Sequence, residues 1–344
     1  MNFNDVKMSL YPQRAKGVEP EKIPWSNPDY IFETKYDGDR RLLYILDEGN
    51  TNTSRSLNKK TGLPVEKKDQ VPHIRDLHIP DLHGTILDCE FTHIRGFKDG
   101  VRKIMGCLPK KAVERQEEWG YIEVRVFDII SVKGTFVHDF PLLSRKEILK
   151  KVYEDHLQDV PFINLVERNE GTPEELQEKL NEIIRNGGEG MVAKNIHSTY
   201  RLSTEKCLSP LKNAWIKIKK EFNGDFVIMG FEDATVYYTG DHLDTHEYWV
   251  EHMPVTKYHH MGWIGGIIFG EYHNGTLVQR GTCSGMTESV RADLSANPDK
   301  YIGKVIEIDA MERIPDTLAL RQPVFKCFRD DKEAIDCQYE NQKG

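Results

Sequence analysis

Tyr30-Ile31-Phe32-Glu33-Thr34-Lys35-Tyr36-Asp37-Gly38-Asp39-Arg40-Arg41-Leu42-Leu43-Tyr44-Ile45-Leu46 reads as a strand, a turn and a second strand. Tyr30-Ile31-Phe32 is β-prone, Asp37-Gly38 is a turn pair, and Leu42 to Leu46 form a continuous apolar run of the kind found in buried strands. Taken alone, Asp-Gly between two such segments predicts a hairpin. Lysine, one free position and Asp-Gly also occur together by chance in roughly one chain in ten of this length at ordinary residue frequencies. Any chemical meaning of Lys35 therefore depends on what accompanies it.

Further along, segments 84–92 and 121–130 carry more buried-strand runs, Ile86-Leu87 and Val124-Arg125-Val126-Phe127. Ser144-Arg145-Lys146-Glu147 has capping-box spacing before Ile148-Leu149 and predicts a helix. Thr172-Pro173-Glu174-Glu175 predicts another, with proline at its first position, Leu176, Leu180, Ile183 and Ile184 on one face, and Gly187 as its stop. Segment 220–225, with Asn223-Gly224, predicts a flexible joint. Beyond it come short β-like runs at Phe226 to Met229, Ile264 to Phe269, Thr276 to Val278 and Val305 to Ile308. Glycine turns separate them, which is the pattern of a small closed barrel. A polar, aromatic and His-rich stretch, roughly 232–261, interrupts the first two runs.

A chain of 344 residues has room for about two domains. Hydrophobic residues at 38% and charged residues at 30% give a globular rather than a disordered profile. No apolar run approaches the roughly 20 residues that span a bilayer, and Met1 to Leu10 is too polar for a signal peptide. A cytoplasmic protein without a membrane partner is the expectation, in the host cytoplasm if the source is viral. Cys89, Cys107, Cys207, Cys283, Cys327 and Cys337 form no C-x-x-C pair, which speaks against a zinc ribbon and for reduced thiols. The net charge of -8 does not exclude nucleic acid, because binding depends on the local patch that meets phosphates. Lys217, Lys219 and Lys220 form one basic cluster. Lys59, Lys60, Lys67 and Lys68, like Lys110 and Lys111, read as solvated faces. Absence of a G-x-x-x-x-G-K-[ST] loop excludes a P-loop ATPase.

Seven elements follow one another in order: Lys35-Tyr36-Asp37-Gly38; Ser54-Arg55; Leu87-Asp88-Cys89-Glu90-Phe91; Val126-Phe127-Asp128-Ile129-Ile130; Gly188 to Lys194; Trp215-Ile216-Lys217-Ile218-Lys219-Lys220; and Arg321 to Lys332. The series resembles the nucleotidyltransferase motifs of the ATP-dependent ligase and mRNA-capping superfamily, over nearly the whole chain. Arg329, Asp331 and Lys332 near the end resemble the last motif of DNA ligases in particular. With little sequence before Tyr30, the chain resembles the compact ligases of bacteriophages and other viruses. The resemblance implies an α+β fold: a nucleotidyltransferase (adenylation) domain of antiparallel sheets and helices over 1–220, then an OB-fold β-barrel over 221–344.

The implied activity is ATP-dependent sealing of nicks in duplex DNA, serving DNA repair, replication and recombination, by a monomer using Mg²⁺, with Mn²⁺ able to substitute. A lysine amine can hold AMP as a phosphoramidate before passing it to a 5′-phosphate, and positive neighbours favour the neutral amine that attacks. By resemblance Lys35 is that nucleophile. Glu33 reads the adenine edge, Thr34 and Gly38 belong to the nucleotide-binding set, and Asp37 lies near ribose and metal. Arg40 and Arg55 contact AMP and the nick phosphate, Glu90 binds the ribose and with Glu189 the metal, and Phe127 stacks on adenine. Lys217 and Lys219 hold the α-phosphate. Their alternation with Ile216 and Ile218 independently puts both lysines on one strand face. Arg329, Asp331 and Lys332 orient the leaving pyrophosphate.

Cys89 departs from the glycine usual at its motif, and Val324 and Cys327 from arginines of larger ligases. Asp241, His242, Asp244, His246, His252, His259 and His260 resemble a metal set. Tyr237, Tyr238, Tyr248, Trp249 and Tyr258 interleaved with Lys257 favour a loop that grips duplex DNA. An RNA ligase shares the lysine and metal chemistry. A non-catalytic OB-fold nucleic-acid-binding protein would not need it.

Overall fold

The computed structural model describes residues 9–18, 20–204, 209–219, 222–240, 243–310, 312–314 and 317–341. Cys207, Lys220, Asp241 and His242 lie outside the described residues. The chain divides into two compact units, Met1–Lys219 and Lys220–Gly344.

The first unit is built on strands β1 (Tyr30–Lys35), β2 (Asp39–Ile45), β3 (Thr51–Leu57), β4 (Thr85–Thr92), β5 (Glu123–Val132), β6 (Gly190–Asn195) and β7 (Trp215–Lys219). Its longer helices are α1 (Pro109–Trp119), α2 (Leu142–His156) and α3 (Pro173–Arg185). One sheet runs Lys16–Gly17, β7, β6, β1, Arg168–Asn169. The other runs Pro64–Glu66, β3, β2, β4, β5, Thr135–Phe136, with Ile163–Leu165 also on β5.

The expected hairpin is therefore absent: β1 and β2 lie in different sheets, and Tyr36-Asp37-Gly38 is the crossing between them. β1 pairs along its length with β6, from Tyr30–Asn195 to Lys35–Gly190, while β2 pairs with β4 from Asp39–Phe91 to Ile45–Thr85. Gly38 is required at the crossing by close approach. A Cβ there would sit 2.2 Å from the Phe91 carbonyl oxygen and 2.8 Å from Glu90 Cγ.

Layering follows the apolar faces. Phe32, Met191, Ala193, Ile216 and Ile218 bury the outer face of the first sheet together with Leu176 of α3. Leu42, Tyr44 and Ile86 pack with Tyr200 and Trp215 between the two sheets. Leu43, Leu87, Cys89, Phe91, Val124 and Val126 pack with Ala112 of α1 and Leu149 and Val152 of α2 on the far side.

The capping box at Thr172 is present: its hydroxyl accepts from the Glu175 amide at 3.3 Å, and the Glu175 carboxylate accepts from the Thr172 amide at 2.7 Å. That proposed for Ser144 is not. Pro141 starts α2 three residues earlier, with no side-chain cap, and Leu142 is buried in the first turn. The Ser144 pattern therefore lies inside the helix. α1 has proline at its start and was not foreseen.

The second unit holds β8 (Phe222–Asp233), β9 (Ile264–His273), β10 (Thr276–Cys283), helix α4 (Glu288–Ala296), β11 (Val305–Ala310) and β12 (Val324–Phe328). They form an open sheet in the order β10-β9-β8-β11-β12, where a closed barrel was expected. Just past β10, Ser284 forms an isolated parallel bridge to Val324, and the Phe325 amide donates to the Ser284 carbonyl at 2.8 Å. Of the flexible joint expected at 220–225, residues 220 and 221 lie outside the described residues and 222–225 are the paired start of β8, with Asn223 opposite Asp309 and Asp225 opposite Glu307. Gly281-Thr282-Cys283 lies inside β10 rather than in a turn.

The His-rich stretch folds on itself. Trp249–Val250 pairs with Met253–Pro254. The His246 ring stacks on Tyr238 at 3.9 Å, and its Nε2 donates to the Val255 carbonyl at 2.8 Å. A histidine so occupied supports packing rather than a metal. No group of three or more His, Cys, Asp or Glu side chains among the described residues is placed to hold one. No helix of the described residues is long and apolar enough to cross a membrane, and Cys89, Cys107, Cys283, Cys327 and Cys337 are free thiols.

Candidate active site

Two cross-strand rows build the site. In the first sheet, Lys35 on β1 and Lys219 on β7 both pair with Gly190 on β6, so the two lysines flank one backbone position. The Glu189 carboxylate beside it joins them, one oxygen to Lys35 and the other to Lys219. Gly190 permits this, with φ of 139° and no space for a Cβ, which would lie 2.1 Å from the Ile218 carbonyl oxygen. A glycine is needed for both reasons. Burial opposes ionisation of Glu189, but the charges and hydrogen bonds of Lys35 and Lys219 hold its carboxyl below its ordinary value. Ile216 and Ile218 are buried while Lys217 is exposed. Burial, then the charges of Lys219 and Lys35, lowers the Lys217 ammonium.

In the second sheet, Glu90 on β4 pairs with Arg40 on β2 and with Arg125 on β5. Burial pushes the Glu90 carboxyl up to about 8 against the pull of Lys35 and Arg40, with Asp39 and Glu189 adding to the rise. Lys35 and Glu189 are among the charges that act on Glu90, so the two rows lie near one another. Arg40 is committed elsewhere. Its Nε and Nη2 donate to Asp88 at 2.9 and 2.5 Å, and Nη1 to the Gln13 carbonyl at 2.7 Å. Tyr200 also donates to Asp88, at 2.6 Å. Arg55 is exposed at the end of β3, its guanidinium lowered by partial burial and the neighbouring Arg40 charge.

Phe127 is flanked by cations: Arg40 lies 5.3 Å and Lys194 4.5 Å from its ring centre, with Trp215 edge-on at 6.1 Å. Glu33 is buried and paired with Lys146 of α2 and, at 2.6 Å, with Lys194 of β6. Thr34 accepts from Asn169 at 3.4 Å. Asp37 and Gly38 occupy the crossing. Cys89, on the face opposite Glu90, is buried and donates to the Arg41 carbonyl at 3.2 Å, so its substitution for glycine faces the core.

Sequence reasoning missed Asp88, Tyr200, Lys146, Lys194 and Arg125, whose guanidinium lies 5.4 Å from the Tyr36 ring centre. Lys194 closes the quoted Gly188–Lys194 motif, which was the available signal.

Arg329, Asp331 and Lys332 belong to the second unit and form their own cluster. Arg329 donates twice to Asp331, at 2.9 and 2.8 Å, and to Asp225 at 3.0 Å. Lys332 also pairs with Asp225.

Residues 13–219 match the family model described as the ATP dependent DNA ligase domain. DNA ligase 2 of Methanosarcina mazei is 31% identical over 214 residues, 59% of this chain and 35% of that protein. DNA ligase 1 of Dictyostelium discoideum is 25% identical over 62% of this chain and 17% of that protein. The SPbeta prophage-derived DNA ligase-like protein LigB of Bacillus subtilis is 26% identical over 70% of this chain and 81% of its own length. The chain thus spans about a third or less of the first two relatives.

Among solved structures, one described as "DNA binding with a minimal scaffold: Structure-function analysis of Lig E DNA ligases" superposes with a TM-score of 0.57 at 16% identity, over 92% of this chain and 98% of that one. Another, "Pmar-Lig_Pre.", gives 0.60 at 17% identity over 94% and 68%. The first unit is a mixed α/β nucleotidyltransferase domain, its lysine, glutamates and strand-borne cations gathered where two sheets meet. Within that class, the chain belongs to the ATP-dependent DNA ligase domain family.

Proposed function

We propose that the protein seals nicks in duplex DNA with ATP, through AMP carried on Lys35. The observation that carries this reading is the row Lys35–Gly190–Lys219 with Glu189 between its two ammonium groups. Lys35 attacks the α-phosphorus of ATP, its nitrogen forming the P–N bond as pyrophosphate leaves and the amine gives up a proton. The 5′-phosphate of the nick then displaces Lys35 from AMP, and the 3′-hydroxyl displaces AMP to form the phosphodiester. Lys217 and Lys219 stabilise charge on the α-phosphate. Glu33 takes the base edge, with Thr34, Asp37, Gly38 and Phe127 lining the nucleotide and Glu90 the ribose.

Glu189 and Glu90 are hard oxygen donors of the kind Mg²⁺ takes in ones and twos alongside substrate phosphates. A carboxyl raised to about 8 by burial with two more carboxylates nearby suits a cation. When bound, the ion would neutralise phosphate charge.

We assign 1–219 as the adenylation domain and the second unit as an OB-type barrel. Supporting the latter are the strand order, the Ser284–Val324 bridge between the two edge strands, α4 between β10 and β11, and register shifts in β8, β9 and β11 that curl a sheet. Arg329, Asp331 and Lys332 then guide the pyrophosphate.

Labelled ATP with Mg²⁺ should leave one acid-labile AMP on Lys35, and Lys35→Ala should leave none. Nicked DNA should then be sealed. An absolute need for ribonucleotides at the nick would reassign the substrate, and normal labelling of the variant would remove Lys35 from the reaction.

A further inference from the structure

Five charged side chains from four elements meet behind Lys35. Glu33 lies on β1, Asp128 on β5, Arg145 and Lys146 on α2 and Lys194 on β6. Arg40 of β2 lies over the same rings as Lys194. Asp128 is spoken for, because both its oxygens accept from Arg145 at 2.9 Å in a fully buried pair. The two lysines are left to share Glu33. Lys194 is 3% and Lys146 17% exposed, against 2% for Glu33. Lys194 is fixed further by the faces of Phe127 and Trp215, 4.5 and 4.3 Å from its nitrogen. A carboxylate withdrawn from water keeps its charge only with cations beside it. Burial, working against the Glu33 charge, brings the Lys194 ammonium down to about 8, so this support is itself sensitive to pH.

We propose that Lys146 and Lys194 are positioning residues for base selection: their ion pairs hold the Glu33 carboxylate in place, so that it accepts from the exocyclic amino group of adenine and repels the carbonyl oxygen that guanine carries at the same place. The inference rests on the reading that Glu33 faces the base of ATP. Adenine offers a donor and guanine an acceptor at that ring position. A Glu33 stripped of both ammonium groups would no longer be held against the base, and its discrimination between the two ring substituents would weaken. Base choice is thus set by how a buried acid is held, and two lysines that need not touch the nucleotide hold it.

The test uses the full chain and measures lysine adenylylation with ATP and guanylylation with GTP. Lys146→Met with Lys194→Met should cut the ATP-over-GTP ratio of kcat/KM by about 10- to 100-fold, the worth of one hydrogen bond to a charged group. The loss should fall mainly on KM for ATP. Lys146→Met alone, on the more exposed partner, should give a smaller fall that Lys146→Arg restores, and it carries the test if Lys194→Met fails to fold. In the parent protein the ratio should decline as pH rises through about 8 and Lys194 loses its proton. Equal slowing of both nucleotides, with the ratio unchanged, would overturn the proposal. A parent protein that forms no lysyl-AMP at all would instead overturn the reading beneath it.

Discussion

Replacing Glu90 by glutamine should make the protein more stable and inactive at once, and the gain should depend on pH. The Glu90 carboxyl ordinarily ionises near 4.5 and is pushed up to about 8 in the fold, so the unfolded chain releases this proton first. Stability is therefore lost as pH rises between those values, by about 1.4 kcal/mol per pH unit. The cost is about 3 kcal/mol at pH 7 and about 5 kcal/mol once both states are ionised, above pH 8. Glutamine has nearly the same shape and no such proton, so Glu90→Gln should match the parent near pH 4.5 and exceed it increasingly up to pH 8. Urea denaturation at pH 5, 7 and 8.5 reads the difference from the transition midpoints, provided the slopes agree. Hydrogen exchange at β4 amides isolates the first unit from the second. Labelling with ATP should fall sharply in the same variant. A stability difference that stays constant across pH, or a variant less stable than the parent at pH 8.5, would refute the charge-burial argument.

Two further outcomes test the geometry. Gly190→Ala should cost about 1–3 kcal/mol, from a backbone conformation alanine avoids and a contact with the Ile218 carbonyl oxygen that only strand separation relieves. By moving Glu189 off Lys219 it should also slow adenylylation, and unchanged labelling would show that the row is not needed. Lys332→Ala should slow lysine adenylylation strongly but spare phosphodiester formation on DNA already carrying 5′-AMP, because no pyrophosphate leaves in that step. Equal losses in both steps would leave Lys332 with a structural or DNA-binding role.

The contrast between Lys35 and Arg40 shows how far the sequence could be read. Lys35, Glu90, Glu189, Lys217 and Lys219 stand in motifs whose order is visible, and the Ile216–Ile218 alternation sets a strand face with no knowledge of the fold. Which strands pair was not visible. Asp37-Gly38 carries the same turn signal whether the chain doubles back or passes to another sheet, and the choice was made by β6, some 155 residues later in the chain. Arg40 is bound by Asp88 and Tyr200, 48 and 160 residues away, and Glu33 by lysines equally remote. Ser144 shows the opposite failure: a local pattern was correct in its letters but overridden by Pro141, which fixes the helix start upstream.

Those long-range pairings decide which cations can meet a triphosphate. Arg40 is spent on a buried carboxylate, and withdrawing it would leave Asp88 unpaired at a cost of about 3–5 kcal/mol. Its part is to fix the floor of the cleft rather than to travel with substrate. Lys35 and Lys219 share one carboxylate, so each has a partner before nucleotide arrives. Lys217 and Arg55 differ: both reach solvent, make no ion pair among the described residues, and are lowered by partial desolvation and neighbouring positive charge. The cations thus fall into two sets: Lys35, Lys219 and Arg40 are held by carboxylates, and Lys217 and Arg55 are not.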